Sequence, residues 1–253
     1  MKNSLAFVYL FLILFFASCE DKESSSKNAS EKPLDKEEVN QKTSKLDSLR
    51  AKYSNAEESS YQSDSIQSNQ EFPIAQEELI PFLTQYGKEN PETRVRIITS
   101  FGNIEVELFR DTPLHRANFI MLVKEGYFNS TFFHRVAPGF VIQGGNSDNV
   151  ATPRQRSQIG DYLIPSEFYA GHKHTYGAFS AAKYSEQNVS KASSPFEFFI
   201  VMKENGTPHL NNDHTVFGRV TKGMEVAEKI EEVETGQSEW PINNVEMDIE
   251  IIN

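Results

Sequence analysis

The stretch FFHRVAPGFVIQGG, residues 132–145, decides the predicted fold of this chain. Two apolar segments flank the turn-forming pair Pro138-Gly139, a pattern that predicts two short strands joined by a tight turn. Arg135 and Gln143 interrupt the apolar residues, and either side chain is costly to bury without a partner. Apolar walls with a few aimed polar groups are typical of ligand sites. The alternative is an edge strand whose polar residues face water.

Alternating apolar and polar residues on both sides of this stretch predict further strands. Residues 95–108 alternate around Phe101-Gly102-Asn103, which indicates a β-hairpin with one buried face. Apolar segments farther along the chain predict four more strands, at residues 177–182, 196–202, 215–220 and 245–251.

Two helices are predicted among these strands. Thr112 and Pro113 stand at the cap and the first position of one helix, and Gly126 marks its end. Residues 224–233 form the other helix, while the polar stretch up to Ser157 is predicted as a surface loop. From residue 94 to residue 253 the pattern therefore indicates a mainly β domain, a closed antiparallel barrel capped at its ends.

Residues 72–93 form a helical lead-in to this domain. The helix has one apolar face, made of Ile74, Leu79, Phe82, Leu83 and Tyr86. Pro81 either kinks the helix or begins it, and Gly87 is expected to end it. We expect the apolar face to pack on the edge of the domain; docking of a partner is the alternative.

The first 71 residues predict export and anchoring. Lys2 precedes an apolar run that ends in Ala17-Ser18-Cys19. A membrane-spanning helix needs about 20 residues, so this shorter run fits a signal peptide, residues 1–18. The ending resembles bacterial lipoprotein signals, in which the cysteine is lipidated; an ordinary secretory signal or an uncleaved anchor are the alternatives. Residues 19–71 are polar and are expected to form a disordered tether. We therefore expect a lipid-anchored protein of the bacterial cell envelope, facing the periplasm or the cell surface.

The composition excludes several classes of function. The formal net charge is −11 and no sustained Lys/Arg cluster occurs, so no nucleic-acid partner is expected. The lone cysteine, Cys19, permits neither an internal disulfide nor a thiolate metal cluster. His172 and His174 have no third ligand near them in sequence, so no metal is expected. Serine, histidine and aspartate residues occur in no order that indicates a catalytic triad.

Residues 133–145, FHRVAPGFVIQGG, resemble the signature of the cyclophilin-type peptidyl-prolyl isomerases. Residues 112–119, TPLHRANF, are similar to the first-helix pattern of that family, as are residues 196–200 and 209–220 to two later blocks. The resemblance implies a closed antiparallel eight-stranded barrel capped by two helices. It also implies an enzyme that isomerises X–Pro bonds of proline-containing polypeptides, as a monomer and without a cofactor. Together with the export signal, it predicts assistance to the folding of envelope or exported proteins.

The resemblance implies a role for each residue of the site. Arg135 matches the catalytic arginine, and Gln143 matches the glutamine that orients it and binds substrate backbone. His214 lies on the far side of the implied pocket. Phe140 and Phe199 are the implied aromatic walls. Val141 and Leu210 are further implied substrate contacts. The backbone of Ala182 and the side chain of Lys183 are implied to contact the residue before proline.

Two further residues of the implied substrate site depart from the family pattern. Glu197 stands where the family usually has glutamine, and His209 where many eukaryotic members have tryptophan. Glu197 is expected either to favour basic peptides or to turn Arg135 slightly, and His209 puts cyclosporin binding in doubt. The alternative function is a binding module that holds proline-containing segments with little turnover.

Overall fold

The computed structural model of the protein describes residues 72–184 and 190–253. The predicted signal peptide, Cys19 and the tether lie outside the described residues, as do residues 185–189. The described residues belong to one structural unit built around a β-barrel. None of their helices has the length and apolar character needed to cross a membrane.

Eight antiparallel strands make up the barrel in the described part of the chain. They are β1 Arg94–Thr99, β2 Gly102–Leu108, β3 Thr131–Ala137, β4 Val141–Asn146, β5 Ala178–Ala181, β6 Phe198–Val201, β7 Val216–Lys222 and β8 Val245–Ile251. Their order is β1-β2-β7-β5-β6-β4-β3-β8, and the sheet closes on itself. Closure gives every strand two neighbours and removes free edges. The predicted closed barrel is confirmed, and the alternative of an edge strand at residues 132–145 is wrong.

Four α-helices accompany the barrel within the described residues. They are α1 Leu79–Glu89, α2 Pro113–Lys124, α3 Ala151–Ile159 and α4 Met224–Glu231. Helices α2 and α4 are the two that were predicted. Helix α3 corrects the prediction of a surface loop. Its only buried residues are Thr152 and Ile159, so its sequence lacks the apolar period that reveals a helix.

Two hydrophobic clusters fill the protein. In the larger one, Phe119 of α2 meets Phe179 and Phe198 edge-on, with ring centroids 5.3 and 5.7 Å apart. Such aromatic pairs stabilise the fold beyond the burial of their area. The smaller cluster consists of Ala137, Val141, Ala178, Ala182, Phe199, Val201 and Val216, with Phe109, Phe140 and Leu210 packed against it. This smaller cluster contains the apolar residues implied to touch substrate.

Helix α1 shares the larger cluster with the barrel. Leu79 and Leu83 are fully buried, which confirms that the lead-in packs on the domain. Pro81 lies in the first turn, where its missing N–H costs little. Gly87 is inside the helix and does not end it. A Cβ on Gly87 would lie 3.1 Å from the Cβ of Ala117, so the glycine permits α1 and α2 to approach closely.

Arg116 of α2 holds the end of α1. Its Nη2 donates to the Gly87 carbonyl oxygen at 2.8 Å, and its Nη1 donates to the Asn90 carbonyl oxygen at 2.8 Å. The last carbonyl groups of a helix have no partner within the helix. Gly87 was expected to end α1. Instead, a buried arginine of the neighbouring helix binds the carbonyl groups at the end of α1.

The segment before α1 is bonded to the end of α3. The Ile74 N–H donates to the Ile159 carbonyl oxygen at 2.9 Å. The Gln76 amide donates to the Leu163 carbonyl at 3.1 Å and accepts from the Leu163 N–H at 2.7 Å. Gly160 has a φ of 140°, and a Cβ on it would lie 2.6 Å from the Ile74 carbonyl oxygen. This contact therefore requires glycine directly after α3.

Helix α2 begins after Thr112, as predicted, but a distant residue caps it. The Thr112 hydroxyl donates to the Phe109 carbonyl oxygen at 3.3 Å. The carboxylate of Glu167 accepts from the N–H groups of Leu114 and His115 at 3.1 and 3.0 Å. A carboxylate at this position also interacts favourably with the positive end of the helix dipole. Tertiary structure therefore supplies the cap that the sequence assigned to a local hydroxyl.

Candidate active site

Strands β3 and β4 form the hairpin predicted at residues 132–145. Arg135 and Gln143 lie opposite each other across it, and both are half-buried. Gly139 has a φ of 72°, a conformation that glycine adopts without strain, and it turns the chain between the strands. The Phe140 N–H donates to the Ala137 carbonyl oxygen at 3.0 Å, which closes the turn. The hairpin thereby presents its two polar side chains beside Phe140.

One apolar surface joins the residues implied to form the proline pocket. Phe140, Val141, Ala182, Phe199 and Leu210 all belong to the smaller hydrophobic cluster. They come from the hairpin, the end of β5, β6 and the short 3-10 turn Pro208–Leu210. The fold therefore brings together residues from four separate parts of the chain.

Three histidine rings border the two aromatic walls. His209 stacks on Phe140, with centroids 5.7 Å apart and planes 14° apart. His214 meets Phe199 edge-on at 5.5 Å, and His174 stacks on the same ring at 5.8 Å. His209 thus packs as an aromatic ring against the pocket wall.

The charged groups near His214 are paired with one another. Lys183 Nζ lies 2.8 Å from Asp213 Oδ2, and only 2% of the Lys183 side chain is exposed. His214 Nδ1 lies 3.2 Å from the same carboxylate oxygen. Burial and, after it, the positive charge of Lys183 lower the pKa of His214 to about 4. The imidazole is therefore neutral near pH 7.

The backbone of Ala182 is engaged inside the protein. Its N–H donates to the Glu197 carbonyl oxygen, and its own carbonyl oxygen accepts from the Ser194 N–H, both at 2.9 Å. Both groups are therefore paired with neighbouring segments, and the implied backbone contact from Ala182 to substrate stays a prediction, since a carbonyl oxygen can accept a second hydrogen bond. Ala182 contributes its methyl group to the pocket surface.

A carboxylate from a distant loop holds Arg135. Its Nε donates to Glu239 Oε2 at 2.7 Å, and the Val136 N–H donates to the Glu239 carbonyl oxygen at 2.7 Å. The guanidinium carbon lies 5.8 Å from the centre of the Phe140 ring. The ion pair is partly exposed, at 35% for Arg135 and 46% for Glu239. With Nε bonded to Glu239, the terminal guanidinium nitrogens are the donors that remain for a ligand.

Gln143 is bonded to Glu197. Its Nε2 donates to Glu197 Oε2 at 2.9 Å and lies 3.4 Å from His134 Nε2. Only 10% of the Glu197 side chain is exposed. The Glu197 carboxylate is therefore buried against Gln143, and its expected effects on basic peptides and on Arg135 stay predictions. The implied orientation of Arg135 by Gln143 stays a prediction, because this pairing occupies the amide nitrogen and not the amide oxygen.

Arg156 of α3 supplies the charge opposite Glu197. Its Nη2 donates to Glu197 Oε1 and to the Gly145 carbonyl oxygen, both at 3.0 Å, and its Nε donates to the Tyr127 hydroxyl at 2.8 Å. Burial raises the pKa of Glu197, but the hydrogen bond and charge of His134 and the charge of Arg156 outweigh it, so the pKa is lowered. Sequence reasoning missed Arg156 because it lies in the stretch predicted as a loop.

A serine, a histidine and a glutamate also line up, outside this pocket. His115 Nδ1 lies 2.7 Å from Glu167 Oε2, and His115 Nε2 lies 2.9 Å from Ser193 Oγ. The three residues are buried, with Ser193 fully so, and the cavity beside His115 measures about 10 Å³, room for one water at most. The third residue is a glutamate, and the expectation that the chain has no Ser-His-Asp catalytic triad stays a prediction. A buried hydroxyl that no substrate can reach is structural.

His172 and His174 are bonded to different partners. His172 Nε2 lies 2.9 Å from Asp111 Oδ1. The two ring nitrogens of His174 lie 3.0 Å from Asn211 Oδ1 and 3.0 Å from Ser180 Oγ. Among residues 72–184 and 190–253, no three His, Cys, Asp or Glu side chains are grouped so that they could hold a metal ion.

Comparisons with known proteins match this fold. Residues 94–250 match the family model described as cyclophilin-type peptidyl-prolyl cis-trans isomerase/CLD. The chain is 37% identical over 157 residues to peptidyl-prolyl cis-trans isomerase A of Dickeya dadantii, covering 60% of this chain and 78% of that protein. It is 37% identical over 164 residues to peptidyl-prolyl cis-trans isomerase-like 2 of Rhizopus delemar, covering 64% of this chain but 29% of that longer protein.

A solved structure shares the fold. The crystal structure of a cyclophilin-type peptidyl-prolyl cis-trans isomerase of Cryptosporidium parvum, in the presence of the dipeptide Ala-Pro, superposes with a TM-score of 0.53. Its sequence identity is 30%, and the match covers 63% of this chain and 99% of that one.

Proposed function

We propose that this chain, which belongs to the cyclophilin-type peptidyl-prolyl cis-trans isomerase family, isomerises X–Pro bonds with Arg135 as its catalytic residue. The uncatalysed barrier is about 18–20 kcal/mol because rotation destroys the resonance of the amide. As the amide twists, the proline nitrogen becomes pyramidal and regains a lone pair. A guanidinium that donates to that lone pair stabilises the twisted state and neither planar state, which lowers the barrier.

The position of Arg135 over the pocket carries this proposal. Its guanidinium carbon lies 5.8 Å from the centre of the Phe140 ring and its Nε donates to Glu239, which supports a role for the terminal nitrogens as donors to a proline ring bound there. Phe140, Phe199, Val141 and Leu210 supply the apolar surface for that ring. Gln143 binds substrate backbone, and the neutral ring of His214 closes the far side beside Phe199.

Replacement of the arginine tests the assignment. We expect Arg135→Ala to lower kcat/KM for an Ala-Pro peptide by about 10²–10³, since removing one donor to the transition state costs that much in other enzymes. A protease-coupled assay measures the rate. The assignment is wrong if the Arg135→Ala protein is as fast as the unchanged chain. A rate that Arg135→Ala does not lower would favour the alternative, a binding module that holds proline-containing segments with little turnover.

We also propose that the enzyme acts on envelope or exported proteins from a lipid anchor on Cys19. The apolar run before Ala17-Ser18-Cys19 and the polar tether after it support this proposal. Cells grown with a labelled fatty-acid analogue are expected to label the full chain and not a Cys19→Ser variant; equal labelling would contradict the anchor. Folding yields of envelope proteins are expected to fall when Arg135→Ala replaces the unchanged chain, and unchanged yields would count against these clients.

A further inference from the structure

The side-chain amide of Gln143 has two different ends, and the structure fixes which end faces inward. An ionised carboxylate accepts hydrogen bonds and cannot donate them. Glu197 Oε2 lies 2.9 Å from Gln143 Nε2, so the NH₂ group must be the end that meets it. The amide oxygen is then the acceptor end, and Arg135 is the direct cross-strand neighbour of Gln143 on the same face of the hairpin.

A glutamine at position 197 would not impose this choice. Its amide offers both a donor and an acceptor, so either end of Gln143 could pair with it. The carboxylate removes one of the two orientations. Glu197 is therefore more than a substitute for the usual residue: it makes Gln143 an acceptor toward the pocket.

The carboxylate can remain buried in this role because Arg156 neutralises it. Arg156 is itself fixed on several sides, by the Tyr127 hydroxyl, by the Gly145 carbonyl oxygen and by the Phe196 ring, whose centre is 5.2 Å from its guanidinium carbon. Gly145 has a φ of 96°, and a Cβ on it would lie 2.1 Å from the Phe196 carbonyl oxygen, so this junction accepts only glycine. A buried charge without such a partner is strongly destabilising.

We propose that Glu197 and Arg156 are positioning residues that hold the Gln143 amide with its oxygen toward Arg135 and the substrate backbone. This inference rests on the proposed role of Gln143 in binding substrate. It assigns an acceptor at this point of the site, one that fits a backbone N–H of the substrate or a guanidinium N–H of Arg135.

Charge removal in two steps tests the inference on the full chain. Turnover and affinity for an Ala-Pro peptide are measured separately by NMR line shapes for Arg156→Ala, Glu197→Gln and the double variant. The control is Glu107→Gln, which breaks the exposed pair that Glu107 forms with Arg219 at 2.9 Å. Thermal unfolding gives the folded fraction, so turnover is expressed per folded molecule.

We expect Arg156→Ala to lower turnover about tenfold, because loss of the positive charge favours a protonated Glu197, which can donate as well as accept and no longer fixes the Gln143 amide. The double variant is expected to return to within about threefold of the unchanged chain, since a neutral glutamine needs no opposite charge. The Glu107→Gln control is expected to be unchanged. Turnover of folded Arg156→Ala equal to that of the unchanged chain, or a double variant as slow as Arg156→Ala, would overturn the inference.

A second comparison covers the case in which Arg156→Ala does not fold. Glu197→Gln is expected to reduce turnover about two- to threefold when Gln143 is present and to have no effect in a Gln143→Ala background. Equal reductions in both backgrounds would show that Glu197 does not act through Gln143. Failure of the proposed function has a different signature, an unchanged chain no faster than Arg135→Ala.

Discussion

The two polar side chains of the β3–β4 hairpin are each held by a carboxylate, but in opposite surroundings. Glu239 holds Arg135 at 2.7 Å and is 46% exposed, whereas Glu197 holds Gln143 at 2.9 Å and is 10% exposed. An exposed ion pair contributes about 0–1 kcal/mol and is screened by salt, while breaking a buried one costs about 3–5 kcal/mol. The hairpin thus combines an adjustable arginine with a rigid glutamine, which suits a reaction in which the proline nitrogen moves relative to a bound backbone.

The largest expected effect on stability comes from breaking the buried pair of Glu197 and Arg156. Arg156→Ala removes the arginine paired with Glu197, and we expect the free energy of unfolding to fall by about 3 kcal/mol. Urea unfolding at pH 7 measures it. Arg219→Ala is the matched control, since it breaks an exposed pair and is expected to change the same quantity by less than about 1 kcal/mol. Equal losses in the two variants would contradict the contrast between buried and exposed pairs.

Low pH is expected to reduce the contribution of Glu197 to stability, by less than Arg156→Ala does. The pKa of Glu197 is lowered in the folded protein relative to its ordinary value, so its contribution to stability is present above the ordinary value and is lost as pH falls through the folded one. The unchanged chain should therefore lose more stability below about pH 5 than Glu197→Gln does. Urea unfolding across this range provides the measurement, and parallel curves for the two proteins would refute it.

Substitution in the exposed pair of Arg135 and Glu239 should have the smallest effect. The effect on kcat/KM should depend on salt. Glu239→Gln keeps an acceptor for Arg135 Nε but removes the charge, so kcat/KM is expected to fall less than about threefold. In about 1 M NaCl, where the Debye length is about 3 Å, the two proteins should become nearly equal. A protease-coupled assay at low and high salt checks both points. A tenfold loss that salt does not alter would mean that Glu239 acts through more than its charge.

The parts of the site that sequence alone could predict are those carried by local pattern. The hairpin at residues 132–145 shows its turn and its apolar segments directly, and Arg135 and Gln143 stand out as polar residues within them. The partners of these residues could not be predicted. Glu239 is 104 positions from Arg135, and Glu197 is 54 positions from Gln143, so both pairings depend on closure of the barrel.

Helix ends show the same division between local and tertiary causes. Thr112 and Gly87 are residue types that commonly begin or end helices, yet Glu167 caps α2 and Arg116 holds the end of α1. Gly87 has a second use, close contact between helices, that no local pattern distinguishes from a helix stop. The polar helix α3 was missed for a related reason, because only Thr152 and Ile159 of its nine residues are buried.

The hydrogen bond between Ile74 and Ile159 shows that the folded domain extends beyond the residues that match the family. The family match begins at residue 94, but residues 74 and 76 are bonded to the end of α3 and to the residues after it. Helix α3 carries Arg156, and Arg156 leads through Glu197 to Gln143. A fragment that begins at residue 94 would lose the residues bonded to the end of α3. It would also lose the carbonyl groups that accept hydrogen bonds from Arg116. The family match alone therefore places the start of the folded domain too late in the sequence. About twenty residues before residue 94 also support the active site.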